Sequence, residues 1–190
     1  FSDYTNEKPA LFLEKKEEIS KEEALKKAAK YLSMSEGALK FQSEVKGNIK
    51  AFTFSFEGGE ISITKKGGYL YKFEKSRIPD EKKIDVKDAL AKGKKYLADC
   101  GYENMENSYY IVSDGTVTIN YFNQENDVMI YTQLIKVVVA LDNKEILAVE
   151  ASGYLANGSE ERDITTSVSK EEAQKEVSDN LNIEKVNLVV

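Results

Sequence analysis

Histidine and tryptophan are absent from the 190 residues, cysteine occurs once and proline twice. Without histidine, a Cys/His dyad and a Cys/His zinc site are excluded within the chain. The single cysteine, Cys100, leaves no intramolecular disulfide and reads as a small residue in a helix-end turn. No apolar run approaches the ~18 residues of a membrane span. Positive charge is not in excess either. The formal net charge is −6, and the lysines are interleaved with acids, which disfavours nucleic acid as a partner because phosphate binding needs a basic face. The chain starts at Phe1 with no initiator methionine and no basic stretch leading into an apolar one. That reads as a piece whose targeting region has been removed.

What is present is repetition. With 41% apolar and 32% charged residues, the composition is that of an ordinary globular protein. The stretch from Ile19 to Leu32 returns from Ile84 to Leu97 and, more weakly, from Val168 to Leu181. In each copy an apolar residue precedes a capping residue (Ser20, Asp85, Ser169), and an acid follows three positions on (Glu23, Asp88, Glu172), the pattern of a capping box. Ala24, Ala89 and Ala173 stand where a hydrophobic staple would close, and Leu32, Leu97 and Leu181 lie eight positions later on the same helical face. The chain therefore divides into an arm over 1–18, a module over 19–78, a second over 84–156, a linker over 157–167 and the start of an incomplete third over 168–190.

After each of the first two helices the period changes from helix to strand. Phe52, Phe54 and Phe56 alternate with small polar residues, Gly58-Gly59 makes a turn, and Ile61 and Ile63 continue the alternation. A second turn at Gly67-Gly68 leads to the row Tyr69, Tyr71 and Phe73. The segment from Leu39 to Lys46 is a further strand. The second module predicts strands over Met105–Ser113, Val117–Tyr121, Val128–Leu141 and Ile146–Leu155, with a bulge near Thr132 to Leu134. One helix covering an antiparallel meander gives an α+β fold in tandem. The third module supplies only a helix and the run from Val186 to Val190. That strand, with Val186, Leu188 and Val190 on one face, is expected to pair with another chain, giving a homodimer through the truncated module, or to pack on the second module.

Catalytic constellations are not legible. The acids lie in caps, helix outer faces and turns, so no catalytic, cofactor-binding or metal-ligating residue is assigned. The Lys65-Lys66-Gly67-Gly68 turn offers cations and backbone amides to an anion, but a plain hairpin is the simpler reading. The aromatics are the candidates for contact: Tyr109, Tyr110, Tyr121, Phe122 and Tyr131 cluster in the second module. Core packing accounts for one of each alternating pair, and the others, if exposed, form a patch suited to a protein or polysaccharide partner.

The repeats with their meanders resemble the PepSY domain, through the apolar-Ser-x-x-Glu-Ala helix start, the Tyr-Leu helix end and the Thr-Lys-Lys-Gly-Gly turn at 64–68. More narrowly, the chain resembles the C-terminal half of the YpeB-type spore germination family. The residues that carry this are Phe1-Ser2-Asp3 with Lys8-Pro9, Ile63 to Gly68, Gly101 to Glu106, Ile130 to Val137, Val139 to Asn143 and Ala151 to Leu155. Two departures stand out: the family usually has Pro-Asp at Thr132-Gln133 and Asp-Asn-Gly at Asp142-Asn143-Lys144, so both turns are expected to differ in shape. The resemblance implies a cystatin-like helix on a sheet and no catalytic residues. It also implies a membrane anchor N-terminal to this chain, a place at the spore inner membrane and cortex on the extracytoplasmic side, and a cortex-lytic enzyme of the SleB type as partner. The expected function is a non-enzymatic regulator that stabilises or restrains that enzyme. Alternatives are a general PepSY inhibitor of a secreted protease and a carboxylate-based glycan hydrolase.

Overall fold

In the computed structural model, residues 10–126, 128–158, 168–178 and 188–189 are described. After a short helix α1 (Leu11–Glu14), helix α2 (Lys21–Leu32) starts on a complete capping box. The Ser20 amide donates to Glu23 Oε2 at 2.8 Å and the Glu23 amide donates to Ser20 Oγ at 3.2 Å. These bonds satisfy two amides that a helix start would otherwise leave open. Four antiparallel strands follow: β1 (Lys40–Val45), β2 (Ala51–Phe56), β3 (Gly59–Thr64) and β4 (Leu70–Lys75). Phe52 faces Ile63 and Phe54 faces Ile61 across the β2–β3 pair, so the Phe and Ile rows share one face. Ala24 and Ala28 of α2 are buried in the same cluster. The row anticipated at Tyr69, Tyr71 and Phe73 does not form. A register shift between Ser62 and Ile63 pairs Leu70 with Ile63, so Leu70 is buried and Tyr71 is only half-buried.

The second module repeats the plan with α3 (Val86–Asp99), β5 (Met105–Ser113), β6 (Thr116–Glu125), β7 (Val128–Ala140) and β8 (Ile146–Glu150). Ile135, Val137, Val139 and Leu141 are all fully buried, as their alternation requires. The anticipated break in β7 lies between Ile130 and Leu134, where Asn123 pairs with Ile130 but the adjacent Phe122 pairs with Leu134. Three expectations change. Asp85 makes no side-chain cap bond, and Asp88 pairs with Lys144 at 2.8 Å instead. The fourth strand stops at Glu150, and residues to Asn157 form a short helix α4 (Ser152–Asn157). Gly153 permits this because a Cβ there would sit 2.9 Å from the Leu134 carbonyl oxygen. At the β7–β8 turn, Lys144 sits at φ 64°, so its backbone keeps the left-handed geometry a glycine would take.

Sequence spacing did not reveal how the modules meet. The sheet order is β1-β2-β3-β4-β8-β7-β6-β5, all antiparallel, so the last strand of each meander pairs with the last strand of the other. Lys72 faces Glu150, Phe73 faces Val149 and Glu74 faces Ala148 across this seam. The two modules are thereby related by a pseudo-two-fold through one continuous sheet. On the face away from the helices a polar row crosses six strands through Thr53, Ser62, Lys72, Glu150, Lys136 and Asn120. Within it, the buried hydroxyls of Thr53 and Ser62 bond to each other at 2.8 Å.

Both ends of the seam are fastened. At one end Phe12, Tyr69, Tyr102 and Tyr154 form a ring cluster with centroid separations of 5.0–5.9 Å, and Tyr102 of the second module donates to the Leu70 carbonyl of the first at 2.6 Å. At the other, Arg77, just beyond β4, grips Asp142 through two nitrogens at 2.7 and 2.9 Å, and its Nε lies 2.7 Å from Glu145. Lys75 pairs with Glu145 as well.

Beyond α4, helix α5 (Lys170–Lys175) starts on the expected box, with Glu172 N bonding Ser169 Oγ at 3.1 Å, but ends at Lys175. Its anticipated end at Leu181 lies outside the described residues, as do Val186 and Val190. Residues Leu188–Val189 form β9, which pairs in parallel with Val128 and Met129 of β7.

Two outcomes are expected. The first concerns Gly93 on α3, where a Cβ would overlap the Tyr121 hydroxyl, itself bonded to the Leu90 carbonyl at 2.7 Å. Gly93→Ala should destabilise on denaturant melting, because overpacking costs about 1–3 kcal/mol against a helix-propensity gain of ~1 kcal/mol. Adding Tyr121→Phe, which removes the clashing oxygen, should recover part of the loss. The second concerns Asp142, whose carboxyl Arg77 holds well below the usual carboxylate range. A depressed pKa contributes stability that is complete above the unfolded value of about 3.9 and fades as pH falls toward the folded one. The melting-temperature gap between the parent and Asp142→Asn should therefore hold constant from neutrality down to about pH 4 and narrow progressively as pH falls further.

Candidate functional site

Among the described residues, the carboxylates that shift all shift downward. Glu23 and Glu172 are held down by backbone and hydroxyl bonds from Ser20 and Ser169. Burial pushes Glu145 up, but Lys75 and Arg77 outweigh it and the group ends low. None of these is raised toward neutrality as a general acid requires. Among the described residues, no group of three or more acid or thiol side chains is placed to hold a metal ion. The 64–68 turn is occupied by its own chain: Lys65 pairs with Glu44 at 2.6 Å, Lys66 Nζ donates to the Glu14 carbonyl at 3.0 Å, and the Gly67 amide donates to the Glu17 carbonyl at 2.9 Å. Both cations and the Gly67 amide are thus committed within the fold.

A concavity lies on the helix side of the seam. The C-terminal ends of α2 and α3 form its walls, and Phe56, Phe73 and Ile146 form part of its floor. It encloses about 570 Å³, within the roughly 300–1,000 Å³ of a ligand-sized cleft. Tyr31 and Tyr96 line it, and the exposed Lys30 and Lys92 stand on opposite walls. Together α2 and α3 carry eight lysines and four acids, whereas the whole chain is net negative. The helix layer is therefore a basic surface on an acidic protein. Cys100 is buried at the cleft wall, and burial pushes its thiol up to about 12. The same cause raises the Tyr31 phenol to about 12. Repeats and periodicity gave no sign of this cleft, because it is shared between modules.

The aromatic candidates separate. Tyr121 is fully buried beneath α3 and belongs to the core, so it leaves the contact set. Phe122 is also buried, stacked on Tyr131 at 6.0 Å and 12°. Tyr131 remains 37% exposed, with its hydroxyl 2.7 Å from Ser108 Oγ. Tyr109 and Tyr110 are exposed on β5, the last strand of the sheet, and Ile111 and Val112 beside them are exposed too. The sequence marked the tyrosines but missed the aliphatic pair, which only an edge position leaves uncovered.

A family model described as YpeB sporulation, PepSY1 and PepSY2 domains, matches residues 1–165. Sporulation protein YpeB of Oceanobacillus iheyensis is 28% identical over 134 residues, covering 70% of this chain and 30% of the relative. Its counterpart in Halalkalibacterium halodurans is 28% identical over 148 residues, covering 75% and 33%. The Bacillus subtilis protein of that name is 24% identical over 185 residues, covering 93% and 41%. The chain thus spans between 30% and 41% of the length of these relatives. Among solved structures, the Bacillus megaterium YpeB C-terminal domain matches with a TM-score of 0.77 at 23% identity, covering 90% of this chain and 80% of that one, a likeness of fold.

Burial of Cys100 predicts an inert thiol. A thiol reagent at pH 8 should modify the native chain only as fast as it opens, and the chain in denaturant at the rate of a free cysteine. Equal rates in both states would mean that the α3 end is loose.

Proposed function

The chain belongs to the YpeB sporulation family, and from that membership we propose that it is a non-enzymatic regulator of sporulation that holds and restrains a cortex-lytic hydrolase of the SleB type. It does so at the extracytoplasmic side of the spore inner membrane. The observation that supports this is the seam cleft. An apolar floor rimmed by Lys30 and Lys92 is complementary to an apolar side chain flanked by acids on a partner protein, with burial supplying affinity and the lysines supplying orientation. The seam beneath the cleft is fastened at one end by Arg77 and Asp142 and at the other by the Tyr102 ring cluster. Such preorganisation lowers the entropy lost on binding. Grip without bond-breaking also suits a cleft whose one shifted carboxylate, Glu145, is held low by Lys75 and Arg77.

The test is titration calorimetry of the chain against the purified hydrolase, paired with an assay of cortex peptidoglycan release. The parent chain should bind, slow the hydrolase and release nothing by itself. Lys30→Glu with Lys92→Glu should weaken binding at least about tenfold, equivalent to ~1.4 kcal/mol, while thermal stability is unchanged because both side chains are exposed. Peptidoglycan release by the chain alone, or undiminished binding by the double variant, would overturn this reading.

A further inference from the structure

The two edges of the sheet are built differently. At β1 the exposed strand carries Lys40 and Glu44, is broken by a register shift between Phe41 and Ser43, and has Lys21 lying 5.0 Å over the Phe41 ring. Charges and bulges of this kind discourage strand addition. At β5 the seven residues from Asn107 to Ser113 contain no charge. Tyr109, Tyr110, Ile111 and Val112 are 53%, 47%, 60% and 46% exposed. The β5 irregularity lies between Asn107 and Tyr110, so the strand is regular from Tyr110 to Ser113, where it pairs in sequence with Ile119 through Thr116.

We infer that β5 is a self-pairing edge through which two copies of this chain join antiparallel into one continuous sheet. Its symmetry can be checked residue by residue. A two-fold axis perpendicular to the sheet keeps each face on its own side, so paired positions must share a face. Tyr110 and Val112 share the helix-side face with Ile119 and Val117, while Ile111 faces the other way with Thr118. Centring the axis on Ile111 sets Tyr110 opposite Val112 twice and Ile111 opposite its own copy. Aromatic–β-branched and aliphatic pairs of this kind are favourable across strands, and no like charges are opposed over the regular segment. An uncharged strand is also where two acidic chains can approach most closely. The four exposed side chains offer roughly 400 Å² per copy, about half the ~800 Å² per partner of a standard interface. The dimer is therefore concentration-dependent rather than obligate. This surface is separate from the seam cleft and from β9, which pairs with β7.

Sedimentation velocity of the whole chain from micromolar to millimolar concentration tests it. A rise from monomer to dimer is expected for the parent. Ile111→Lys, which sets a charge against itself across the axis, should stay monomeric while melting normally. Ile111→Cys should form a disulfide-linked dimer under a mild oxidant, which the parent with its buried Cys100 should not. The inference fails if the parent is monomeric throughout, if Ile111→Lys still dimerises, or if Phe41→Lys on β1 abolishes the dimer instead. Hydrolase binding by Ile111→Lys should be unchanged. Its loss in a chain that is always monomeric would assign β5 to the hydrolase and overturn the dimer, leaving the question of hydrolase binding separately answered.

Discussion

The pairing of β4 with β8 is the constraint on which the rest of the molecule depends. A four-stranded meander under one helix has two edges and a small core. When the last strands of two meanders bond to each other, two of the four edges become interior and the backbone groups along them are satisfied. The pairing is short, with three facing residue pairs, so the fastenings at its ends matter. Rings from α1, the β3–β4 turn, the segment after α3 and α4 converge at one end. A guanidinium shared between two carboxylates closes the other.

The helices sit close to this sheet because the residues beneath them are small. Ala24, Ala28, Ala89 and Gly93 are buried at the contact faces, letting large side chains of the strands reach up between helix turns. Tyr121 of β6 does so under Gly93 and donates to the Leu90 carbonyl, and Tyr102, between α3 and β5, donates to the Leu70 carbonyl at the seam. An unbonded hydroxyl there would offset much of the gain from burying the ring. Across the seam α2 and α3 lie side by side, linked at their C-terminal ends where the Tyr31 hydroxyl donates to the Cys100 carbonyl at 3.4 Å, and the cleft opens between them.

The polar chemistry of the chain is consequently structural. Its lowered carboxylates hold caps and the Arg77 clamp, its raised phenols and thiol are packed away, and what faces outward is shape, charge and a strand edge. The two candidate contact surfaces differ in character: a basic concavity and a neutral apolar edge.

Each local element was legible from the chain because each is set by neighbours within a few residues. The boxes at Ser20–Glu23 and Ser169–Glu172, the Phe and Ile alternation, the break in β7 and the helix-end position of Cys100 all follow from spacing alone. Family motifs added the fold. Where spacing misled, a distant contact had decided: Asp88 left its cap for Lys144, Leu70 displaced Tyr71 through a bulge, and Gly153 turned a presumed strand into a helix against Leu134. The contact residues divided in the same way, since alternation marked tyrosines but could not tell Tyr121 under a helix from Tyr110 on a rim. By itself, then, the sequence determined two helix-on-meander units, because hydrophobic period and capping act over one turn or one strand. Only the tertiary structure decided that the units share a sheet, where the cleft lies and which edge stays open, because those follow from pairings between residues some 80 positions apart.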